Sequence, residues 1–109
     1  GFLGVSNLLE GEKAVALVGR AELVNIRPER IRLHGAGHKP EKGLSSVDGI
    51  VIEVAYTGPN TITIIENSAG LRLISTQLNE ELPGHEDSFA VGEKVVATWH
   101  NTHVATIPQ

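Results

Sequence analysis

His34 and His38 stand four residues apart, and His100 and His103 stand three apart. Imidazoles at such spacings hold a metal when they converge from rigid positions and a third ligand joins them. On a strand, residues three apart point to opposite faces, so only a turn between His100 and His103 would bring that pair together. His34 and His38 fall in a glycine-rich stretch with the composition of a solvated loop. Both pairs are expected to be surface histidines, with no metal site. Glu80, Glu81, Glu86 and Asp87 make an acidic run. Paired carboxylates do acid–base work only in a dry cleft that separates their pKa values. An exposed loop offers neither condition, so the run is expected to be a solvated face.

Other chemistries lack their residues. The chain has no cysteine, which removes disulfides, thiolate zinc sites and cysteine nucleophiles. A phosphate-cradling loop needs Gly-Lys-Ser/Thr at its end; in the nearest stretch, 37–46, Gly43 is followed by Leu44. The dinucleotide fingerprint and its βαβ unit are missing. Gly4-Val5-Ser6-Asn7-Leu8 fails the nucleophile elbow at its second glycine. No catalytic residue is expected.

The elements that would position any site must come from 109 residues and 11.6 kDa, one domain's worth of chain. A hydrophobic share of 40% and a charged share of 20% suit a water-soluble core-and-surface fold. Net charge −4, with 4% aromatic residues, argues against holding phosphodiester backbones. Base stacking would need aromatics beside basic residues on one face, and Phe2, Tyr56, Phe89 and Trp99 fall in different segments. No apolar run approaches the length of a membrane span. At the N-terminus there is no basic flank followed by an apolar stretch, so no signal peptide is expected. Methionine is also absent, and the opening Gly-Phe-Leu-Gly-Val-Ser-Asn has the look of an internal segment, so excision from a longer protein is expected.

The hydrophobic period is two nearly everywhere. Residues 13–18 form an apolar run, and 21–26 alternate with Glu22, Val24 and Ile26 on one side. Arg27-Pro28-Glu29 interrupts them; Pro28 cannot donate to a ladder, which predicts a corner or an edge. Ile31 and Leu33 resume the alternation. The 34–46 segment, with three glycines and a proline, predicts a long exposed loop. A strand is expected from near Asp48, with Ile50, Ile52, Val54 and Tyr56 on one face and Val51, Glu53 and Ala55 on the other. Tyr56 is expected to bury its ring and expose its hydroxyl. A turn at 57–60 and a β-branched strand at 61–66 complete a hairpin. Another turn at 67–70 leads to a strand at 71–76. Residues 77–88 predict a loop with a helical turn around 78–82. In 94–99, Val95, Ala97 and Trp99 share a face. Asn101-Thr102 predicts a tight turn, and 103–107 a last strand. Many short strands with regular turn signals predict an all-β barrel or sandwich, and closure would also remove exposed edges.

Four stretches, in order, resemble one family. Phe2-Leu3-Gly4-Val5-Ser6-Asn7 is similar to the stretch leading into the transport-associated OB (TOBE) domain at the C-terminus of ATP-binding subunits of bacterial ABC importers. The segment from Val24 to Leu33, Val-Asn-Ile-Arg-Pro-Glu-Arg-Ile-Arg-Leu, resembles the family's Arg-Pro-Glu segment. Gly49-Ile50-Val51-Ile52-Glu53-Val54-Ala55-Tyr56-Thr57-Gly58 resembles its next strand. Phe89 to Trp99, with Gly92, Val95 and Trp99, resembles its closing hairpin. The 34–46 segment departs from the family by its length and glycine content. The Ser-Ala-Arg-Asn motif of oxyanion-binding relatives is absent, with Ser6-Asn7 its only echo.

The resemblance implies an OB-type small β-barrel with short helical turns, with 1–12 a lead-in from a preceding domain and 13–109 the C-terminal regulatory domain. It implies a homodimer at the cytoplasmic side of the inner membrane. The partners implied are the nucleotide-binding domain of the same parent chain and, indirectly, a membrane permease. ATP and magnesium belong to that missing domain and no cofactor to this chain. The alternative is a free-standing OB module that binds a small ligand such as an oxyanion. Within either frame, Pro28 is expected to fix a corner, Arg27 to fork onto a carboxylate, and Glu29 to accept backbone N–H groups. Arg27, Pro28 and Glu29 together are a possible partner surface, and Trp99 is expected to anchor the core.

Overall fold

The period-two pattern builds strands. In the computed structural model, residues 7–9, 24–78 and 89–106 are described, and among them eight strands form two antiparallel sheets. β1 (Asn7–Leu9), β2 (Val24–Ile26) and β8 (Val104–Thr106) make the smaller sheet, with β2 central. β3 (Arg32–Gly35), β4 (Leu44–Thr57), β5 (Asn60–Glu66), β6 (Arg72–Leu78) and β7 (Lys94–His100) make the larger one, in the order β3-β7-β4-β5-β6. The apolar run at 13–18, residues 21–23 and the acidic run lie outside the described residues, as does the helical turn expected around 78–82 except for Leu78, which belongs to β6. The expected division at 12/13 lies outside them too; Asn7–Leu9, placed by sequence in the lead-in, pairs with β2.

The core sits between the sheets. Ile26 of β2 belongs to one buried cluster with Leu33, Val51, Ile65, Leu73, Val95, Ala97 and Trp99 of the larger sheet. Trp99 is only 1% exposed. β7 is buried on both faces from Val95 to Trp99: Val95, Ala97 and Trp99 belong to the core cluster, and on the other face His34 is hydrogen-bonded through Nε2 to Thr98 Oγ1 at 2.9 Å. The two ends of the larger sheet approach each other where β6 packs against the Pro28–Arg30 turn that leads into β3. Ser75 Oγ of β6 donates to the carbonyl of Ile31, just before β3, at 2.6 Å. That contact curls the sheet toward a closed barrel, which leaves fewer unpaired edges.

Four sequence expectations are corrected here. The 34–46 stretch is not one long loop: β3 continues through Gly35 and β4 begins at Leu44, so only residues 36–43 connect them. The hairpin register explains why, since His34 pairs with Val96 and Ser46 with Thr98 on the two sides of β7. The face assignment around Ile52 also fails. A β-bulge between Val51 and Glu53 inserts one unpaired residue and resets the alternation. Ile50, Glu53 and Ala55 therefore share one face, and Val51, Val54 and Tyr56 the other. Val51 is fully buried while Ile50 is exposed. Tyr56 does not bury its ring; at the open end of the β4–β5 hairpin it is 70% exposed. Gln77 and Leu78 extend β6 rather than open a loop.

The turns follow their residue types. Gly58 opens the two-residue β4–β5 turn at φ 63°, the positive value that a type II′ turn needs in its first central position. Asn67 Oδ1 accepts from the backbone N–H groups of Ala69 and Leu71, both at 2.9 Å, which folds the β5–β6 turn onto itself. Asn101–His103 forms a 3-10 turn between β7 and β8.

Candidate functional site

The Arg-Pro-Glu corner links the two sheets. Arg27 is extended, and Pro28 opens a 3-10 turn, Pro28–Arg30. The fixed φ and missing N–H of proline suit that first position. The turn closes with Arg30 N donating to Arg27 O at 2.9 Å and Ile31 N to Pro28 O at 3.2 Å. Pro28 is buried, so it carries the corner. Arg27 Nη1 lies 3.6 Å from Glu29 Oε2, with the two side chains 71% and 55% exposed. A pair so exposed contributes about 0–1 kcal/mol. The two charges therefore stand at the surface, available to a partner at little cost to the fold.

Beside this corner lies a hollow of about 270 Å³. Its wall comes from Glu29 and Arg30 of the turn, Arg32 at the start of β3, Leu44 at the start of β4, and Thr98, Trp99 and His100 at the end of β7. Register brings these together: Arg32 pairs with Thr98, and Leu44 with His100. Sequence reasoning assigned no role to Arg30 or Arg32, and weighed His100 only with His103 as a metal pair, expecting a surface histidine. Arg30 and Arg32 flank the buried Ile31, which signals two exposed guanidiniums close to the corner, but their meeting with β7 depends on long-range pairing. Trp99, singled out as a core residue, is both a core anchor and part of this wall. Its Nε1 is buried and has no hydrogen-bond partner among the described residues.

A second hollow, of about 490 Å³, lies on the outer side of the larger sheet, lined among others by Asp48, Ile50, Ile52, Glu66, Lys94 and Val96. Glu66 there is engaged by Arg72, whose Nε donates to Oε2 at 2.8 Å. The two histidines of the first pair come together without chelating. His34 and His38 stack with ring centroids 3.7 Å apart and planes within 4°; parallel faces aim no two nitrogens at one ion. Among the described residues, no group of three or more His, Asp or Glu side chains is placed to hold a metal. Trp99, buried as it is, offers no face for stacking a base.

Comparison with known proteins bears on this site. A family model described as "TOBE domain" matches residues 24–107. The ABC transporter ATP-binding protein YdcT of Escherichia coli (strain K12) is 31% identical over 102 residues, covering 91% of the chain and 28% of that protein. The spermidine/putrescine import ATP-binding protein PotA of Vibrio vulnificus (strain YJ016) is 34% identical over 82 residues, covering 74% of the chain and 20% of that protein. PotA of Pseudomonas aeruginosa (strain UCBPP-PA14) is 36% identical over 81 residues, covering 74% and 22%. The chain thus spans between 20% and 28% of the length of these relatives. Among solved structures, the cytoplasmic molybdate-binding protein ModG with molybdate bound superposes with a TM-score of 0.66 at 16% identity, covering 89% of the chain and 71% of ModG. The fold is accordingly an OB-type all-β barrel with short helical turns, as the family resemblance implies.

Proposed function

The chain belongs to the TOBE domain family, and on that premise we propose that it is the C-terminal regulatory and dimerisation domain of an ABC importer ATPase subunit. The observation that carries this reading is the pattern of coverage. ATP-binding proteins match 74% to 91% of the chain, yet the chain fills only 20% to 28% of their length. That is the relation of a module to a larger parent. The domain does no chemistry in this reading. ATP and magnesium bind in the parent's nucleotide-binding domain, and the domain acts mechanically. Paired copies hold two ATPase subunits together at the cytoplasmic face of the membrane while the nucleotide sites open and close. A homodimer of this kind uses the same patch on both copies. The exposed Arg27 and Glu29, held out on the buried Pro28, are the residues we assign to contact with the nucleotide-binding domain, which in turn meets the permease.

A second reading is a free-standing OB module that captures a small ligand. It draws on the likeness to ModG, which binds molybdate, over most of both chains.

The size and location of the native protein separate the two. An antibody raised against this chain is used on soluble and membrane fractions of the source cells. A band several times heavier than 11.6 kDa, travelling with the membranes, supports the importer subunit. A soluble band near 11.6 kDa overturns it in favour of the ligand-binding module.

A further inference from the structure

The hollow beside the corner is provided with donors that have no acceptor. Arg30 and Arg32 line it, and among the described residues neither guanidinium has an ion-pair or hydrogen-bond partner. Trp99 also contributes to the wall, while its indole N–H is enclosed in the core, with no hydrogen-bond partner among the described residues. The carboxylate in the wall, Glu29, is already beside Arg27. The Thr98 hydroxyl is taken by His34. The side-chain capacity left at this wall is therefore cationic and donating, on a chain whose net charge is −4. We propose that the hollow is a binding site for a small anion carrying two or more carboxylates.

The class of ligand follows from the donors. A guanidinium is planar and engages a carboxylate through two parallel N–H bonds. Arg30 and Arg32 belong to different elements, the 3-10 turn and β3, and bring two guanidiniums to the same hollow. Two forks are matched by two carboxylates on one carbon skeleton. Leu44, also in the wall, supplies an apolar surface for that skeleton. The volume of about 270 Å³ limits the ligand to a compact di- or tricarboxylate. Binding would bias the corner directly, since Arg30 belongs to the same 3-10 turn as Pro28 and Glu29. The site does not rest on the ATPase-subunit reading; a free-standing domain would bind the same ligand, so the two ideas fail separately.

The chain has a single tryptophan, so its indole N–H gives one assignable signal in a proton–nitrogen correlation spectrum. The 109-residue chain is titrated with citrate and with malonate at constant ionic strength, with sodium chloride, sulfate and molybdate as separate arms. The expected result is a saturable shift of the indole signal with citrate or malonate. The Arg30→Gln/Arg32→Gln double variant should weaken that response at least about tenfold, with an unchanged melting temperature. Should the double variant not fold, Arg30→Gln and Arg32→Gln are measured singly, each expected to weaken binding. A shift that chloride reproduces, a response undiminished in the folded variants, the absence of any saturable shift, or binding of sulfate and molybdate alone would each overturn the proposal.

Discussion

Trp99 and Arg27 mark the two extremes of what one side chain contributes here. Trp99 is 1% exposed at the centre of the core cluster. Trp99→Ala should cost about 3–5 kcal/mol of stability, read from urea denaturation followed by circular dichroism. Trp99→Phe should cost clearly less. It keeps an aromatic ring and removes a buried donor whose unpaired state costs about 1–3 kcal/mol. Equal costs for the two variants would mean that the indole N–H is paired in solution. Arg27→Ala should change stability by less than about 0.5 kcal/mol, because its ion pair with Glu29 is long and largely exposed. A larger loss in the isolated chain would make the corner a fold element rather than a contact surface.

At the scale of elements, the bond from Ser75 to the Ile31 carbonyl holds β6 against the entry to β3. Ser75 is 2% and Ile31 1% exposed, so neither group can turn to water instead. Ser75→Ala should cost about 1–3 kcal/mol in urea denaturation. It should also raise amide exchange along β3 and β6 ahead of β4, β5 and β7, since the two edges lose their tie. Uniform exchange across all five strands would mean that closure rests on other contacts. The bulge at Ile52 is a second element-scale device. It places Val51 and Val54 on the core side although three residues separate them.

Considered whole, the barrel depends on pairings remote in sequence. His34 and Thr98 meet across 64 residues, and β4 joins β7 in the same way. Such topology folds in roughly milliseconds to seconds. Stopped-flow refolding followed by the fluorescence of Trp99 should fall in that range; microsecond folding would contradict the long-range pairings. If copies pair through the folded domain, as the proposed dimer requires, the melting temperature should rise with protein concentration. A concentration-independent melt, with a monomer by sedimentation, would leave pairing to the rest of the parent chain.

The residues by themselves determined the local features. Alternating β-branched positions dictate strands, Gly58 and Asn67 dictate turns, and Pro28 dictates a corner, because each effect acts within a few residues. The shared face of Val95, Ala97 and Trp99 was legible for the same reason. The bulge at Ile52 was not: an inserted residue carries no signature of its own, and only the register of β4 against β5 reveals it. The 34–46 stretch misled because glycine and proline content suggests a loop, while pairing on both sides of β7 draws His34 and Ser46 into strands. Trp99 was legible as a core residue, yet its place in the wall of a hollow was not. That hollow gathers the 3-10 turn, β3, β4 and the end of β7. A juxtaposition across more than sixty residues is decided by tertiary pairing, not by any local preference.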